Sequence, residues 1–301
     1  MGHWPGFVQI KEVGPRDGLQ NEKKLVATPD KVNWINMLSD SGVKEIEFSS
    51  FVNPKWIPAL SDAHELGKKI KRNPDVRYSA LVPNMKGLEL ALESGIDGAS
   101  VFMSASETHN KKNINKTIAE TYPVLEEVVK EAKKSGKHVT GYVSTVFDCP
   151  YEGRISPEQV IQVCDRLIDF GVDDISLGDT IGSAVPLQVE QLLEAVLARY
   201  PKEKIIMHFH NTRGMAIANI MTSMQYGISR FDSSIGGLGG CPYAPGAAGN
   251  VATNDVLYLM HGLGIKTGVD EKKLQEAALF IQNKLGKPLP SKSLAYAVSQ
   301  Q

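Results

Sequence analysis

Short runs rich in β-branched residues alternate with longer amphipathic stretches from one end of the 301-residue chain to the other. This alternation constrains the fold more than any other feature. The runs at 8–13, 43–48, 77–82, 98–103, 138–146, 174–177, 204–209 and 230–235 have the length and composition of strands. Helical spacing fills the gaps at 31–39, 59–70, 87–93, 118–134, 157–170, 187–200 and 215–226. Glycines at 42, 95, 171 and 227 stand between a helical pattern and the next strand, where a left-handed residue ends a helix. Eight strand-then-helix units with no break in composition predict a closed parallel (β/α)8 barrel, an α/β fold. An open doubly wound sheet shares the alternation and is the competing architecture. Residues after about 250 predict further helices at 251–261 and 271–285 and a polar tail, packed against the barrel within one catalytic domain spanning 1–301.

Composition narrows what such a chain can do. Its net charge of −1 gives no basic field for nucleic acid, and the basic cluster Lys68-Lys69-Ile70-Lys71-Arg72 reads as a solvated helix end. Three scattered cysteines form neither a disulfide framework nor a CxxC knuckle. No apolar run reaches the length of a membrane span, and the first residues lack the charged and apolar regions of a signal peptide. A reduced, cytoplasmic location is expected, with neither nucleic acid nor membrane as partner.

In a barrel of this kind the active site forms at the C-terminal ends of the strands. Strand one runs into Gly14-Pro15-Arg16-Asp17-Gly18-Leu19-Gln20, and strand two carries Glu47 and runs into Ser49 and Ser50. Strand four leads to Ser104, Ser106 and Glu107, then His109, Asn110 and Asn113. Strand six ends Leu177-Gly178-Asp179-Thr180, and strand seven ends His208-Phe209-His210-Asn211. Side chains two apart on a strand share a face, so His208 and His210 can converge on one ion. Two hydrogen-bonded rim histidines would look the same in sequence. Asp17 offers a carboxylate over the same mouth, and two imidazoles, a carboxylate and an amide oxygen suit Mg²⁺ or Mn²⁺.

Arg16 has two readings: a cation paired with a carboxylate such as Glu47, or a donor to a developing enolate oxygen. Glycine density in the stretch 236–250 fits a mobile loop over the barrel mouth, and it matches no phosphate-binding motif. Cys241 in that loop is a candidate acid/base group, whereas Cys164 falls in a helical pattern as packing and Cys149 is read as structural.

Taken together, these segments resemble the 3-hydroxy-3-methylglutaryl-CoA lyase family over nearly the whole chain. The resemblance is carried by Glu12-Val13-Gly14-Pro15-Arg16-Asp17-Gly18-Leu19-Gln20-Asn21-Glu22 and by Ser50-Phe51-Val52-Asn53-Pro54-Lys55-Trp56-Ile57-Pro58. It is carried also by Phe102-Met103-Ser104-Ala105-Ser106-Glu107-Thr108-His109-Asn110, by Leu177-Gly178-Asp179-Thr180-Ile181-Gly182 and, most specifically, by the Cys241 loop. It implies a metal-dependent retro-Claisen cleavage of an acyl-CoA to acetyl-CoA and acetoacetate, of the kind used in leucine degradation. It further implies Asp17, His208, His210 and Asn250 as metal ligands, Arg16 as the enolate-stabilising cation and Cys241 as an acid/base group. His208 is also a candidate for removing the hydroxyl proton, alongside Asp17 and Cys241. Glu47 and Asp179 enter as supporting carboxylates, and Lys23 and Asn113 as groups near the CoA moiety. A homodimer or other homo-oligomer is expected.

Two positions depart from the family pattern. Asn211 stands where the pattern has an aspartate, and Asn254 where it has a glutamate, so both change the expected carboxylate charge. Two other functions share part of the signal. Condensing synthases of the isopropylmalate or homocitrate type carry an Arg-Asp-Gly-x-Gln motif and an HxH pair, but usually have a longer C-terminal extension and lack the Cys-Pro-Tyr loop. A catalytically silent barrel that binds metal or acyl-CoA is the other.

Overall fold

The computed structural model describes residues 4–240 and 249–300. Eight parallel strands close into a barrel: β1 (Gln9–Glu12), β2 (Glu45–Ser50), β3 (Arg77–Leu81), β4 (Gly98–Ser104), β5 (His138–Ser144), β6 (Asp174–Asp179), β7 (Ile205–Phe209) and β8 (Arg230–Ser233). Each strand pairs with its sequence neighbours, and β1 pairs with β8 to close the ring, with Gln9 opposite Arg230 and Glu12 opposite Ser233. The open-sheet alternative is thereby excluded. A two-residue antiparallel pair, Asp148–Cys149 with Gly153–Arg154, decorates the loop after β5.

Helices α1 (Thr28–Asp40), α2 (Ala63–Lys69), α3 (Met85–Glu93), α4 (Glu107–Ile114), α5 (Ile118–Lys134), α6 (Pro157–Phe170), α7 (Pro186–Leu197) and α8 (Ala216–Gln225) follow β1 to β7, with both α4 and α5 after β4. Their apolar faces bury Trp34, Leu38, Leu125, Val160, Leu167 and Leu193 against the outer faces of the strands. Glycines 42, 95, 171 and 227 all have φ between +80° and +102°, as their positions between helix and strand require.

The sequence reading misses two helices, each for a physical reason. α4 buries only His109 and Asn110, so its inner face is polar and leaves no hydrophobic period. Capping makes it a helix instead: the Ser106 side chain accepts from His109 N at 3.1 Å, and Asn115 ends it in the left-handed conformation. At the other end of the chain, the expected polar tail contains a helix, α11 (Lys292–Ser299), beyond α9 (Thr253–Gly262) and α10 (Glu271–Leu285). Ser291 caps it and donates to Asp255 Oδ1 at 2.7 Å, while Ser293 N donates to the same oxygen at 2.8 Å. α11 is docked by that side-chain anchor and by buried Leu294, neither of which is a periodic signal.

The barrel interior is charged. Lys11 on β1 reaches Glu45 at 3.0 Å, Ser100 Oγ on β4 at 3.4 Å and Glu47 at 3.6 Å. Glu47 accepts from Ser100 Oγ at 2.6 Å and from the Tyr142 hydroxyl, on β5, at 3.1 Å. Burial alone would raise the pKa of both glutamates, but Lys11 with Arg77 at Glu45, and Arg16 with Lys11 at Glu47, hold them below the usual carboxylate range. Buried charges persist only when paired, so this network is a rigid floor beneath the C-terminal mouth.

Candidate active site

The chain leaves β1 through one helical turn, Gly14–Gly18, in which Asp17 N donates to Val13 O at 2.8 Å. This turn lifts Arg16 and Asp17 over the barrel mouth. The Arg16 guanidinium donates through Nε to Glu47 and through Nη1 to Asp17, and its carbon lies 5.6 Å from the Tyr142 ring centroid. Burial would lower the Arg16 pKa, yet Glu47 and Asp17 drive it upward, so it is a permanent cation. The structure shows the pairing with Glu47 that the first sequence reading expected, and it places Arg16 in the lining of a cavity.

Asp17 collects donors. Besides Arg16, Gln20 Nε2 reaches its Oδ1 at 2.9 Å and Asn250 Nδ2 its Oδ2 at 2.8 Å. Burial pushes the Asp17 pKa up, but the Arg16 guanidinium beside it holds it well below the ordinary carboxylate range. The ligand-capable atoms of Asp17, His208 and His210 all lie within 4.8 Å of one another. Asn250 joins them because a backbone bridge pairs it with His210 and Val251 N donates to Phe209 O at 3.0 Å.

These residues suit a divalent cation. One carboxylate and two imidazoles are a hard-to-borderline donor set. Asn250 is 2 % exposed, and its Oδ1 has no hydrogen-bond partner among the described residues. An amide oxygen left unsatisfied beside such a cluster is a ready additional donor.

The cavity encloses 490 Å³ and is lined by Arg16, Asp17, Asn113, Tyr142, His208 and His210, among others, a size suited to a small-molecule ligand. Its apolar lining includes Val52, Trp56, Leu81 and Phe102. Burial lowers the pKa of His109, another lining residue, to about 4, so its imidazole is neutral. Glu47 lies beneath Arg16, fully buried. Asp179 is buried too, and its carboxylate accepts from Ser183 N at 3.0 Å and Ala184 N at 3.2 Å, which shapes the loop after β6. Lys23 is exposed and is not part of the cavity lining. Cys241 lies outside the described residues.

Both family departures fall on acceptor positions. Asn211 Oδ1 accepts from Ala216 N at 3.2 Å, at the start of α8, and Asn254 Oδ1 accepts from Gly236 N at 2.9 Å. An amide oxygen fills an acceptor role as a carboxylate would, so the local backbone is held at both positions.

Buried polar residues that the sequence reading did not single out complete the surroundings. Glu12 Oε1 accepts from Gly14 N and Ile235 N, each at 2.8 Å, and Oε2 from Thr253 Oγ1 at 2.7 Å. It thus ties the Arg16–Asp17 turn to both flanks of the glycine-rich segment. Burial pushes its pKa up to about 7 against the pull of these three donors. Asp232, Lys11 and Tyr142 are the others. Their common signal is a polar residue at an inward position of a buried strand, which periodicity alone does not distinguish from a solvent-facing one.

The HMGL-like family model matches residues 7–281. This chain belongs to the HMGL-like family. It is 56% identical over 291 residues to the hydroxymethylglutaryl-CoA lyase YngG of Bacillus subtilis, covering 97% of each protein. Its structure superimposes on the crystal structure of the Bacillus subtilis HMG-CoA lyase with a TM-score of 0.97, covering 98% of this chain and 99% of that one. An HMG-CoA lyase from Acinetobacter baumannii, solved in complex with coenzyme A and 3-methylmalate, is 39% identical with a TM-score of 0.93, covering 99% of this chain and 97% of that one. Family membership agrees with the sequence resemblance, and among the described residues no helix is long and apolar enough to cross a membrane.

Proposed function

We propose that this chain is a hydroxymethylglutaryl-CoA lyase, a carbon–carbon lyase that cleaves 3-hydroxy-3-methylglutaryl-CoA to acetyl-CoA and acetoacetate. One observation carries the reading: in a chain 56% identical to such a lyase, Arg16, Asp17, His208 and His210 line a single cavity. The complex of the Acinetobacter baumannii lyase with coenzyme A supports an acyl-CoA substrate. Asp17, His208, His210 and Asn250 would hold Mg²⁺ or Mn²⁺. When bound, that cation makes the substrate's 3-hydroxyl more acidic and binds its carboxylate.

The chain's own residues do the rest. Loss of the hydroxyl proton, to His208, Asp17 or Cys241, leaves an alkoxide at C3. Its electron pair forms the ketone of acetoacetate as the C2–C3 bond breaks, and the bonding pair passes to the thioester as an enolate. Arg16, held by Glu47 from below, meets the charge that grows on the thioester oxygen, so it binds the transition state better than the substrate. Glu47 and Asp179 support this arrangement, the first through Arg16 and the second by shaping the β6 loop. Cys241 delivers the proton that turns the enolate carbon into the methyl group of acetyl-CoA. Asn113 on the cavity wall, and Lys23 outside it, contact the CoA moiety.

A homodimer or other homo-oligomer remains part of this reading. The buried free thiols of Cys149 and Cys164 are in keeping with a reducing, cytoplasmic setting.

Purified protein supplied with Mg²⁺ or Mn²⁺ is expected to convert 3-hydroxy-3-methylglutaryl-CoA to acetoacetate and acetyl-CoA, detected by mass spectrometry. Condensation of acetyl-CoA with a 2-oxo acid, without thioester cleavage of this substrate, would replace the lyase reading with a synthase. Cys241→Ala should keep the fold and metal affinity while lowering turnover. Because Cys149 and Cys164 are buried, alkylation of the native protein should inactivate it through Cys241, and the alanine variant should lose that sensitivity. Normal turnover in Cys241→Ala would assign the proton transfer elsewhere.

A further inference from the structure

One buried carboxylate has no place in the chemistry above. Asp232, on β8, is 1 % exposed and stands opposite His208 of β7 in the strand register. Its Oδ2 lies 2.8 Å from Ser176 Oγ on β6 and 3.3 Å from His208 Nδ1. Its Oδ1 has no hydrogen-bond partner among the described residues, so the contacts on Oδ2 are what hold the group in place. We propose that Asp232 is a positioning residue that fixes His208 in the tautomer with its proton on Nδ1, leaving the Nε2 lone pair for the cluster of Asp17 and His210.

Donor count decides the tautomer. A neutral imidazole has one N–H and one lone pair, and which nitrogen carries the proton depends on what the atoms around the ring require. An ionised carboxylate can only accept. Set against Nδ1, it therefore demands the proton there. Ser176 donates to the same oxygen and fixes where it sits, three strands meeting at one atom. A ligand nitrogen must present a lone pair, so the tautomer chosen by Asp232 is the one that can bind a cation through Nε2, and a His208 so engaged leaves the substrate's hydroxyl proton to Asp17 or Cys241. Of the two side chains hydrogen-bonded to Asp232, Ser176 and His208, only His208 lines the cavity, and Asp232 acts through it. A rival account makes it a counter-charge for Lys11, whose charge it also feels; that account gives no reason for a preferred tautomer. The inference rests on the metal-site reading above.

The unmodified protein is tested first. Selectively ¹⁵N-histidine-labelled, metal-free full-length chain is examined by long-range ¹H–¹⁵N correlation at mildly alkaline pH, with His208 assigned by loss of its signals in His208→Gln. The expected result is His208 protonated on Nδ1. Asp232→Asn keeps the volume, but its amide can donate as well as accept, so the tautomer preference should weaken. Mn²⁺ affinity, read by paramagnetic resonance, should then fall by about 10–100-fold, and Asp232→Glu should recover part of it. An Nε2-protonated His208 in the wild type, or an Asp232→Asn protein with unchanged tautomer and unchanged Mn²⁺ affinity, would overturn the proposal. Failure of the wild type to bind Mn²⁺ would instead overturn the metal-site reading beneath it, and the wild-type tautomer tells the two failures apart.

Discussion

Arg16→Gln is expected to lower kcat by about 10²–10³-fold or more, with KM changed by only a few-fold. The guanidinium sits at the cavity with Glu47 below it and Asp17 beside it, so its position is set before substrate arrives. Its contribution grows with the charge on the thioester oxygen and belongs to the transition state, which is why kcat bears the loss. The same contacts predict a second effect. Removing one partner of a buried ion pair typically costs about 3–5 kcal/mol. Here the cost should be smaller, because Glu47 keeps Lys11 at 3.6 Å, Ser100 at 2.6 Å and Tyr142 at 3.1 Å. The variant should therefore fold with a lowered melting temperature and remain nearly inactive. Arg16→Lys should recover part of the stability and little of the rate, since an ammonium cannot reproduce the fork that meets Glu47 and Asp17 together. Steady-state kinetics and thermal melts on both variants decide the matter. Near-normal kcat in folded Arg16→Gln would reduce Arg16 to a structural cation.

His210→Ala and Asp17→Ala are expected to weaken Mn²⁺ binding by at least about 10²-fold, because each removes a side chain proposed as a direct ligand. Activity should fall with metal occupancy, and a chelator should silence the wild type reversibly. The two variants differ in a useful way. Asp17→Ala also strips Arg16, Gln20 and Asn250 of a shared acceptor, so it should disturb the turn after β1 and the melting temperature. His210→Ala leaves the Arg16–Glu47 pair intact and isolates the effect on the ion. Paramagnetic resonance of bound Mn²⁺ reports the affinity directly. Unchanged affinity in both variants would remove the proposed site.

Much of this site is legible in the amino-acid sequence, and the legible part has a common character. His208 and His210 share a face because the strand period is two, and Arg16 and Asp17 sit together because they are adjacent and follow a strand. Asn250 is accessible only through resemblance to a family, since no local rule brings residue 250 to residue 17. Closure of β1 against β8 does so in space, leaving Asn250 Nδ2 at 2.8 Å from Asp17 Oδ2.

By itself the amino-acid sequence determined the eight strands, the main helices between them and the strand ends where polar residues gather, and it favoured a closed parallel barrel over the open sheet that strand pairing then excluded. These follow from short-range causes: periodic burial, capping and glycine punctuation act within a few residues. Only the tertiary structure decided what fills the barrel. Lys11 on β1, Glu45 and Glu47 on β2, Tyr142 on β5 and Asp232 on β8 come from far apart in the chain. A buried charge is tolerable only when its partner is within reach, and that partner is set by barrel closure. α11 likewise depends on a distant anchor, Asp255, whereas α4 is capped locally by Ser106 over a polar inner face that leaves no hydrophobic period. Hydrophobic periodicity records which faces leave water; it does not record which buried polar groups will find one another.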